Sequence, residues 1–219
     1  MDLGIIQITN ENTKRESLLI EKIIPGCVDI SKKQYTLVSP PHTRLERAVT
    51  KLGGEFSSYH SWDKDMSHKW RQGLQTRNEE WIAFLADDIL PDEDWRGEME
   101  KYLEDKPPGQ YGFRLTDETN SRHEFGEDWM QFPNRQLRLA HRPLSYDIKT
   151  GAIEDSPTAY VANCVVHRDV LAQVEPFGIY ACAPDVAWSL AIRGCGYPVS
   201  FNPKARAYHL GNREDNRKK

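Results

Sequence analysis

Short apolar runs alternate with amphipathic stretches along the first half of the chain. Runs that are apolar throughout are typical of strands buried on both faces, and helices show apolar residues at helical spacing. The predicted strands are 3–9, 35–38, 55–59 and 81–86, and the predicted helices are 43–52, 65–76 and one capped by Asn12 or Thr13 that ends at Pro25-Gly26. This alternation predicts an α/β protein with a mostly parallel central sheet flanked by helices.

The pattern becomes less regular beyond the strand at 81–86. A helix at 93–103 precedes a break at 106–109, and further strands are predicted at 111–115, 197–201, 205–209 and from Tyr160 into a helix. Between 116 and 157 the chain is rich in charged, aromatic and turn residues and shows no clean period. The charged tail 212–219 is predicted to be mobile.

The composition is that of one globular domain. The chain has 219 residues, of which 38% are hydrophobic, and a formal net charge of −4, which gives no general attraction to nucleic acid or anionic lipid. No stretch approaches the length of a membrane helix, the N-terminus lacks the pattern of a signal peptide, and the cysteines show no CxxC spacing. We therefore expect a cytoplasmic protein with reduced thiols and no integral membrane contact.

Two adjacent carboxylates, Asp87 and Asp88, end the apolar run that begins at Trp81. A buried strand that ends in acids places them at the carboxyl edge of a sheet, where open α/β sheets bind ligands. Adjacent residues of a strand point to opposite faces, so we expect one acid to bind Mg²⁺ or Mn²⁺ and the other to hold a neighbouring polar group. Solvation of the strand end, or capping of the next helix, explains an Asp-Asp pair without any ligand.

The surroundings of these acids resemble the aspartate motif of glycosyltransferases with the GT-A fold, in particular the family-2-like group. The matching positions are Trp81, Ile82, Phe84, Leu85, Asp87, Asp88, Pro91 and Trp95. Ala86 stands where many members carry the first acid of a triplet. The resemblance implies that Asp88 is the main ligand of Mn²⁺ or Mg²⁺ and that Asp87 contacts the nucleotide.

The same resemblance implies an architecture and a donor. Residues 1–211 are expected to form a single GT-A (Rossmann-like) domain, with a nucleotide-binding half at 1–105 and an acceptor half at 106–211. The expected donor is a nucleotide diphosphate sugar, whose diphosphate the cation would neutralise. No glycine-rich phosphate loop is present, which disfavours dinucleotide enzymes and P-loop NTPases and suits this family, whose members use none.

Three further segments are similar to donor-side segments of the family. Thr9 and Asn10 partly match the end of the first strand, which makes them candidates for the nucleotide pocket, although Asn is also common in ordinary turns. Lys69 or Arg71, shortly before the central strand, is a candidate for contacting the diphosphate, and a solvated helix face explains both equally well. His209 follows a short strand where many members carry a histidine, so it is a candidate third metal ligand or diphosphate contact.

The segment 183–197 resembles, without a gap, the family motif that carries the catalytic aspartate. Asp185 falls on that aspartate, whereas Pro184 and Ala187 replace acids of the motif. Pro184 suits a first helical position, which places Asp185 in a first turn where the helix dipole favours an ionised carboxylate. Ordinary helix stabilisation has the same pattern. With the motif, Asp185 is predicted to deprotonate an acceptor hydroxyl, and the family implies inversion at the anomeric carbon.

The sequence leaves the acceptor open among a glycan, a small molecule and a hydroxylated nucleobase in DNA. Trp129, Phe132 and Tyr146 are candidates for stacking on a sugar or a base, although aromatic residues more often serve ordinary packing. The net charge disfavours DNA, whereas Arg135, Arg138, Arg142 and the basic tail favour it.

Two other functions fit parts of the pattern. A nucleotidyltransferase or a diphosphate hydrolase also combines a Rossmann-like half with a cation, but it needs the phosphate loop that this chain lacks. A catalytically weak sugar-nucleotide-binding module is suggested by Ala86, Pro184 and Ala187, which stand where the family carries acids.

Overall fold

Helices and strands alternate through the first half of the molecule, as the hydrophobic pattern predicts. The computed structural model describes residues 1–9, 15–60, 66–116, 123–124, 127–131, 137–141, 155–176 and 184–210. The strands are β1 (Leu3–Ile8), β2 (Tyr35–Ser39), β3 (Glu55–Ser58), β4 (Trp81–Ala86), β5 (Ile89–Pro91), β6 (Gln110–Thr116), β7 (His123–Glu124), β8 (Glu127–Gln131), β9 (Leu137–His141), β10 (Asn163–His167) and β11 (Val199–His209). The helices are α1 (Glu16–Leu18), α2 (Ile24–Ser31), α3 (Thr43–Lys51), α4 (Met66–Gln75), α5 (Trp95–Leu103), α6 (Arg168–Gln173) and α7 (Pro184–Gly194), with a π-helical turn (Leu19–Ile23) between α1 and α2.

Nine strands of the described residues form one mixed sheet, and β8 and β9 form a separate antiparallel pair. The order across the large sheet is β3-β2-β1-β4-β10-β6-β11-β5, and β7 pairs with β6. Six of its strands run in one direction, while β5, β7 and β10 run against them, which confirms the predicted α/β class with a mostly parallel sheet. The strand order reverses between β1 and β4, and ligands of open α/β sheets bind at the carboxyl ends of such strands.

Apolar side chains cover both faces of the central strands. Ile5 and Leu85 belong to the core on one face, and Phe84 belongs to the core on the other, where it packs against α4 and α7. The Phe84 ring lies edge-on to Trp70 at a centroid distance of 4.8 Å and to Trp188 at 5.4 Å. Truncating a ring enclosed in this way costs about 3–5 kcal/mol. Because both faces are covered, a ligand reaches the centre of the sheet only at a strand end.

The first helical region continues through Pro25-Gly26, where the sequence pattern predicted its end. The π-helical turn leads directly into α2, and Pro25 lies in the first turn of α2. Proline is tolerated there because the N–H that it lacks needs no helical partner in a first turn. The helix ends instead at Ser31, before Lys32, whose backbone is left-handed with φ of 52°.

The last strand is one continuous element where the sequence pattern predicted two. β11 pairs in parallel with β6, with a shift of register between Asn202 and Arg206. Pro203 lies within the shifted part, and a residue without an N–H is accommodated at such irregularities. Because β11 continues beyond the shift, His209 at its end pairs with Ile89, the residue that follows the two acids.

The predicted tail at 212–219 lies outside the described residues, and the division into a nucleotide-binding half and an acceptor half stays a prediction. Across the parts of the chain that the structure describes, every helix is too short or too polar to cross a membrane.

Candidate active site

Asp87 and Asp88 form the turn between β4 and β5. β4 ends at Ala86 in the middle of the sheet, whereas β5 lies at its edge beside β11, so the chain changes direction at the acids. Asp88 is only 7% exposed. Adjacent residues of a regular strand point to opposite faces, but the turn lets both carboxylates contact the same side chain.

One guanidinium connects the two carboxylates. Arg15, which directly precedes α1, places Nη1 2.8 Å from Asp87 Oδ1 and 3.0 Å from Asp88 Oδ2. Its Nε is buried and has no hydrogen-bond partner among the described residues. The side chains are shielded from much of the solvent, which makes these ion pairs stronger than pairs at an open surface. Arg15 therefore neutralises part of the negative charge and keeps an unused donor beside it.

Asp88 Oδ2 is shared between Arg15 and a histidine near the other end of the chain. His209 Nε2 lies 3.1 Å from this oxygen, and the N–H of Leu210 donates to the Asp88 carbonyl at 2.7 Å. Burial raises the pKa of Asp88, but the hydrogen bond from His209 and the charges of His209 and Arg15 outweigh it, so this pKa lies below its ordinary value. The carboxylate is therefore ionised at neutral pH.

A buried amide holds the backbone on both sides of the acidic pair. Gln7 of β1 is fully buried, and its Nε2 donates to the carbonyl of Ala86 at 2.6 Å and to that of Ile89 at 3.4 Å. Its Oε1 accepts a hydrogen bond from the Tyr35 hydroxyl at 2.7 Å. Buried polar groups are stable only when they are hydrogen-bonded, so these contacts fix the turn relative to β1 and β2.

Two more of the predicted residues, Thr9 and Lys69, are connected through Tyr59, and Thr9 contacts Asp87. Thr9, directly after β1, donates from Oγ1 to Asp87 Oδ2 at 3.3 Å. The Thr9 carbonyl accepts a hydrogen bond from the Tyr59 hydroxyl at 2.8 Å, and Lys69 Nζ lies 4.6 Å from the centre of the Tyr59 ring. Lys69 is nearly buried, and the face of the Tyr59 ring stabilises its ammonium group. The side chain of Tyr59 thus lies between Lys69 and Thr9.

Arg71, the other basic candidate of α4, lies at the surface. Its Nη1 is 2.9 Å from Glu175 Oε1, and both side chains are about half exposed. An ion pair of this kind contributes about 0–1 kcal/mol to stability, because water and salt screen it. The structure thus places Arg71 in an exposed ion pair with Glu175.

Asp185 lies in the first turn of α7, as the Pro184 pattern predicts. Its Oδ1 accepts a hydrogen bond from the N–H of Val186 at 3.0 Å. Burial raises the pKa of the Cys164 thiol to about 12, and the negative charge of Asp185 adds to that increase. The charge of Asp185 therefore acts on a residue of β10. The first residue of that strand, Asn163, pairs with Leu85 near the end of β4.

Solved structures with this arrangement of strands and helices include two glycosyltransferases. The chain superposes on GalNAc-T7, solved with UDP, GalNAc and Mn²⁺, with a TM-score of 0.67 and 11% identity over 97% of this chain and 44% of that one. It superposes on the mannosyltransferase PcManGT from Pyrobaculum calidifontis, in complex with GDP-Man and Mn²⁺, with a TM-score of 0.65 and 13% identity over 97% and 57%. A197 from STIV gives a TM-score of 0.54 and 11% identity over 97% and 87%. No protein-family model matches the chain, and no curated protein does.

The chain has the GT-A fold. This confirms the fold that the sequence motifs predicted, and at identities this low the likeness shows the fold alone. The chain spans about half the length of the two glycosyltransferases. Within this GT-A fold, the carboxyl ends of β1, β4 and β11 meet, and they bring together Thr9, Asp87, Asp88 and His209, four residues selected from the sequence.

Two groups at this edge of the GT-A sheet fit as ligands of a divalent cation. Asp88 Oδ2 and His209 Nε2 lie 3.1 Å apart. Two ligands at right angles, each about 2.1 Å from an octahedral cation, are about 3.0 Å apart. Over the ranges that the structure describes, no group of three or more His, Cys, Asp and Glu side chains is arranged to hold a metal ion. The pair therefore fits a cation that takes its other ligands from diphosphate oxygens and water, as Mg²⁺ commonly does.

Arg15 and Gln7 were not predicted, although each left a signal in the sequence. Gln7 is a polar residue inside an otherwise apolar strand, and a buried polar group needs partners. Arg15 is one of two basic residues in the connection that follows the first strand. Trp129 and Arg138 belong to β8 and β9. The candidates Asn10, Phe132, Arg135, Arg142 and Tyr146 lie outside the described residues.

Proposed function

We propose that this chain is a glycosyltransferase that moves a sugar from a nucleotide diphosphate sugar to an acceptor hydroxyl. The observation that carries the proposal is the pair of Asp88 and His209, in contact at the carboxyl edge of a GT-A sheet. Two proteins with the same fold were solved with Mn²⁺ and either UDP or GDP-Man. A carboxylate and an imidazole suit the same class of cation.

The donor side uses residues that the fold already holds in place. Asp88 and His209 would hold Mn²⁺ or Mg²⁺, which neutralises charge on the departing diphosphate. Asp87, held by Thr9 and Arg15, contacts the nucleotide, and the nearly buried Lys69 contributes positive charge nearby. Asn10 and Arg71 remain candidates for the nucleotide and the diphosphate.

Asp185 acts on the acceptor as the general base. The Val186 amide donates to its carboxylate, which lies in the first turn of α7. Asp185 takes the proton of the acceptor hydroxyl while the oxygen attacks the anomeric carbon opposite the diphosphate, which gives inversion. The acceptor is a glycan, a small molecule or a hydroxylated nucleobase in DNA. Cys27 and Cys164 are buried free thiols, which suits the cytoplasmic location that we propose.

A sugar-nucleotide-binding module without transfer activity is the second candidate. The observation that favours it is the local contact of Asp185, whose carboxylate accepts a hydrogen bond from the next residue of its own helix. Such a contact serves helix stabilisation as well as catalysis. The two candidates share the donor site and differ only in turnover.

Mn²⁺-dependent binding of UDP or GDP tests the donor site. A ligand present at 100 times its dissociation constant stabilises the folded protein by about 2.7 kcal/mol, which a thermal shift detects. Asp88→Asn should abolish the Mn²⁺-dependent part of the shift. Asp94→Asn is the matched control, because Asp94 is exposed, caps no helix through its side chain and loses the same charge.

Unchanged Mn²⁺-dependent binding in Asp88→Asn would contradict the proposed donor site. Release of free sugar from UDP-sugars or GDP-sugars, followed over hours, then separates the two candidates. An enzyme hydrolyses its donor slowly when no acceptor is present, whereas a binding module leaves the donor intact.

A further inference from the structure

Arg15 and a divalent cation require the same oxygen atom. Asp88 Oδ2 lies 3.0 Å from Arg15 Nη1 and 3.1 Å from His209 Nε2. A carboxylate oxygen has two lone pairs, and a cation held by both Asp88 and His209 would take the one that now faces His209. A cation bound to this oxygen at about 2.1 Å lies only about 4–5 Å from a guanidinium nitrogen that contacts the same atom, and the two carry charges of the same sign. Binding of the cation therefore weakens the contact between Arg15 and Asp88, and Arg15 in turn opposes binding of the cation.

Arg15 has a second anchor that does not depend on Asp88. Its Nη1 lies 2.8 Å from Asp87 Oδ1, and Asp87 also accepts a hydrogen bond from Thr9. The guanidinium can release Asp88 and remain beside Asp87. Both ion pairs of Arg15 use Nη1, and its buried Nε has no partner among the described residues. A displaced guanidinium thus retains donors whose fork geometry matches phosphate oxygens.

We propose that Arg15 competes with the divalent cation for Asp88 and, once displaced, binds the diphosphate of the donor. The inference rests on the proposed function, since it takes the ligand to be a cation together with a nucleoside diphosphate. Arg15 then opposes binding of the cation alone and favours binding of the diphosphate. A residue that only stabilised the fold would favour binding of the cation and binding of the diphosphate alike.

The formal charges explain why the two ligands bind together. Asp87 and Asp88 carry two negative charges, and Arg15 carries one positive charge. A divalent cation alone leaves an excess of positive charge at the turn, whereas a cation with a diphosphate does not. Each ligand therefore raises the affinity for the other, as linkage requires.

Arg15→Gln separates the two effects. Titration calorimetry with Mn²⁺ alone should give an affinity roughly tenfold higher than for the unaltered protein, because hydrogen bonds to charged groups are worth about this factor. With Mn²⁺ at a saturating concentration for each protein, the affinity for UDP or GDP should fall by roughly the same factor, because a charged contact to phosphate is lost.

Arg44→Gln is the matched control. Arg44 is highly exposed and pairs with Glu16, one residue after Arg15, at 2.9 Å. The substitution removes the same charge from the same neighbourhood without touching either acid of the turn. Both affinities should stay within about twofold of those of the unaltered protein, since the interaction of exposed charges is screened.

Arg15→Lys distinguishes a specific effect of the Arg15 guanidinium from a loss of folded protein. A lysine keeps the charge but not the planar fork, so Mn²⁺ affinity should stay close to that of the unaltered protein while nucleotide affinity falls. Melting temperatures of all variants, measured without ligand, identify loss of folded protein.

Three results would overturn the inference. These are an unchanged or lower Mn²⁺ affinity in Arg15→Gln, an unchanged or higher nucleotide affinity in that variant, and nucleotide binding by the unaltered protein that is equally strong with and without Mn²⁺. Failure of the proposed function shows elsewhere, as nucleotide binding that Asp88→Asn leaves unchanged. The Mn²⁺ titration of Arg15→Gln tests the competition even if no nucleotide binds.

Discussion

The acidic turn after β4 and the first turn of α7 hold their carboxylates in different ways. Asp87 contacts Arg15, which is 72 positions away in sequence, and Asp88 contacts His209, which is 121 positions away. Asp185 accepts its hydrogen bond from the next residue. Among the described residues, tertiary contacts therefore arrange the proposed donor side, whereas the hydrogen bond of the proposed base comes from its own helix.

Under the proposed function, this difference corresponds to two chemical roles. Charge that develops on a leaving diphosphate is stabilised by groups whose positions are set in advance, and setting them takes contacts from several elements. A general base needs an ionised carboxylate within reach of one proton, and a helix start provides this locally. We therefore expect variants of the acidic turn to lose nucleotide binding and variants of Asp185 to lose turnover.

The largest expected effect is on turnover in Asp185→Asn. The side chain keeps its size and still accepts the hydrogen bond from Val186, but it loses the basic carboxylate. A general base typically contributes about 10²- to 10⁴-fold, so the transfer rate should fall by about this factor while Mn²⁺-dependent nucleotide binding stays unchanged. Steady-state rates and calorimetry measure the two quantities.

The control for that variant is Asp155→Asn, which removes a charge paired with Arg193 on the same helix. It should leave turnover within about twofold, because an exposed ion pair contributes little. A transfer rate near that of the parent in Asp185→Asn would remove Asp185 from the mechanism and favour the binding module.

The second-largest expected effect is a loss of stability in a variant of Gln7, whose amide holds the backbone on both sides of the acidic turn. Gln7→Leu leaves the Tyr35 hydroxyl and the Ala86 carbonyl without their buried partner. Each unsatisfied buried group costs about 1–3 kcal/mol, so the free energy of unfolding should fall by about 3 kcal/mol. At about 2–4 °C for each kcal/mol in a protein of this size, the melting temperature falls by about 6–12 °C.

Gln7→Leu should also weaken Mn²⁺-dependent nucleotide binding at temperatures where the variant is folded, because the acids lose their fixed position. Gln34→Leu is the control, since Gln34 donates to Asp2 at an exposed site at 2.9 Å. Its effect on stability should stay within about 0.5 kcal/mol. Loss of stability with full nucleotide affinity in Gln7→Leu would show that the amide supports the fold and not the site.

The smallest expected effect concerns the influence of the Asp185 charge on the thiol of Cys164 in β10. Burial raises the pKa of Cys164 to about 12 and that of Cys27 still further, whereas Cys195 is exposed. At pH 8 the Cys164 thiol is then almost entirely protonated as well as buried, so in a Cys182→Ser background an alkylating reagent should modify Cys195 alone in the folded protein. Mass spectrometry identifies the modified residue.

Adding Asp185→Asn to that background should lower the pKa of Cys164 without exposing its thiol, because burial is the larger cause. Protection from the reagent should therefore persist. Rapid modification of Cys164 would mean instead that Asp185 is needed to keep β10 covered, which would give it a structural role.

The elements and several site residues were predictable because their signals are local. Apolar runs identified β1 to β4 and β6 to within about two residues, and an acid pair ending the most apolar run marked the carboxyl edge of the sheet. Thr9, Asp87, Asp88 and His209 were selected by motif, and Thr9 contacts Asp87 while His209 contacts Asp88; their roles stay predictions. The helix end at Pro25-Gly26 was wrong because a proline also fits a first helical turn.

The amino-acid pattern alone is enough to identify the buried strands, the amphipathic helices and the acids that follow a strand. Period and burial are properties of neighbouring residues, so a local pattern carries them. Three contacts become visible only in the folded chain: Arg15 bridges both acids, Gln7 holds their turn, and β11 places His209 beside Asp88. These contacts depend on the order of strands across the sheet and on the direction of one turn, and no local period encodes either.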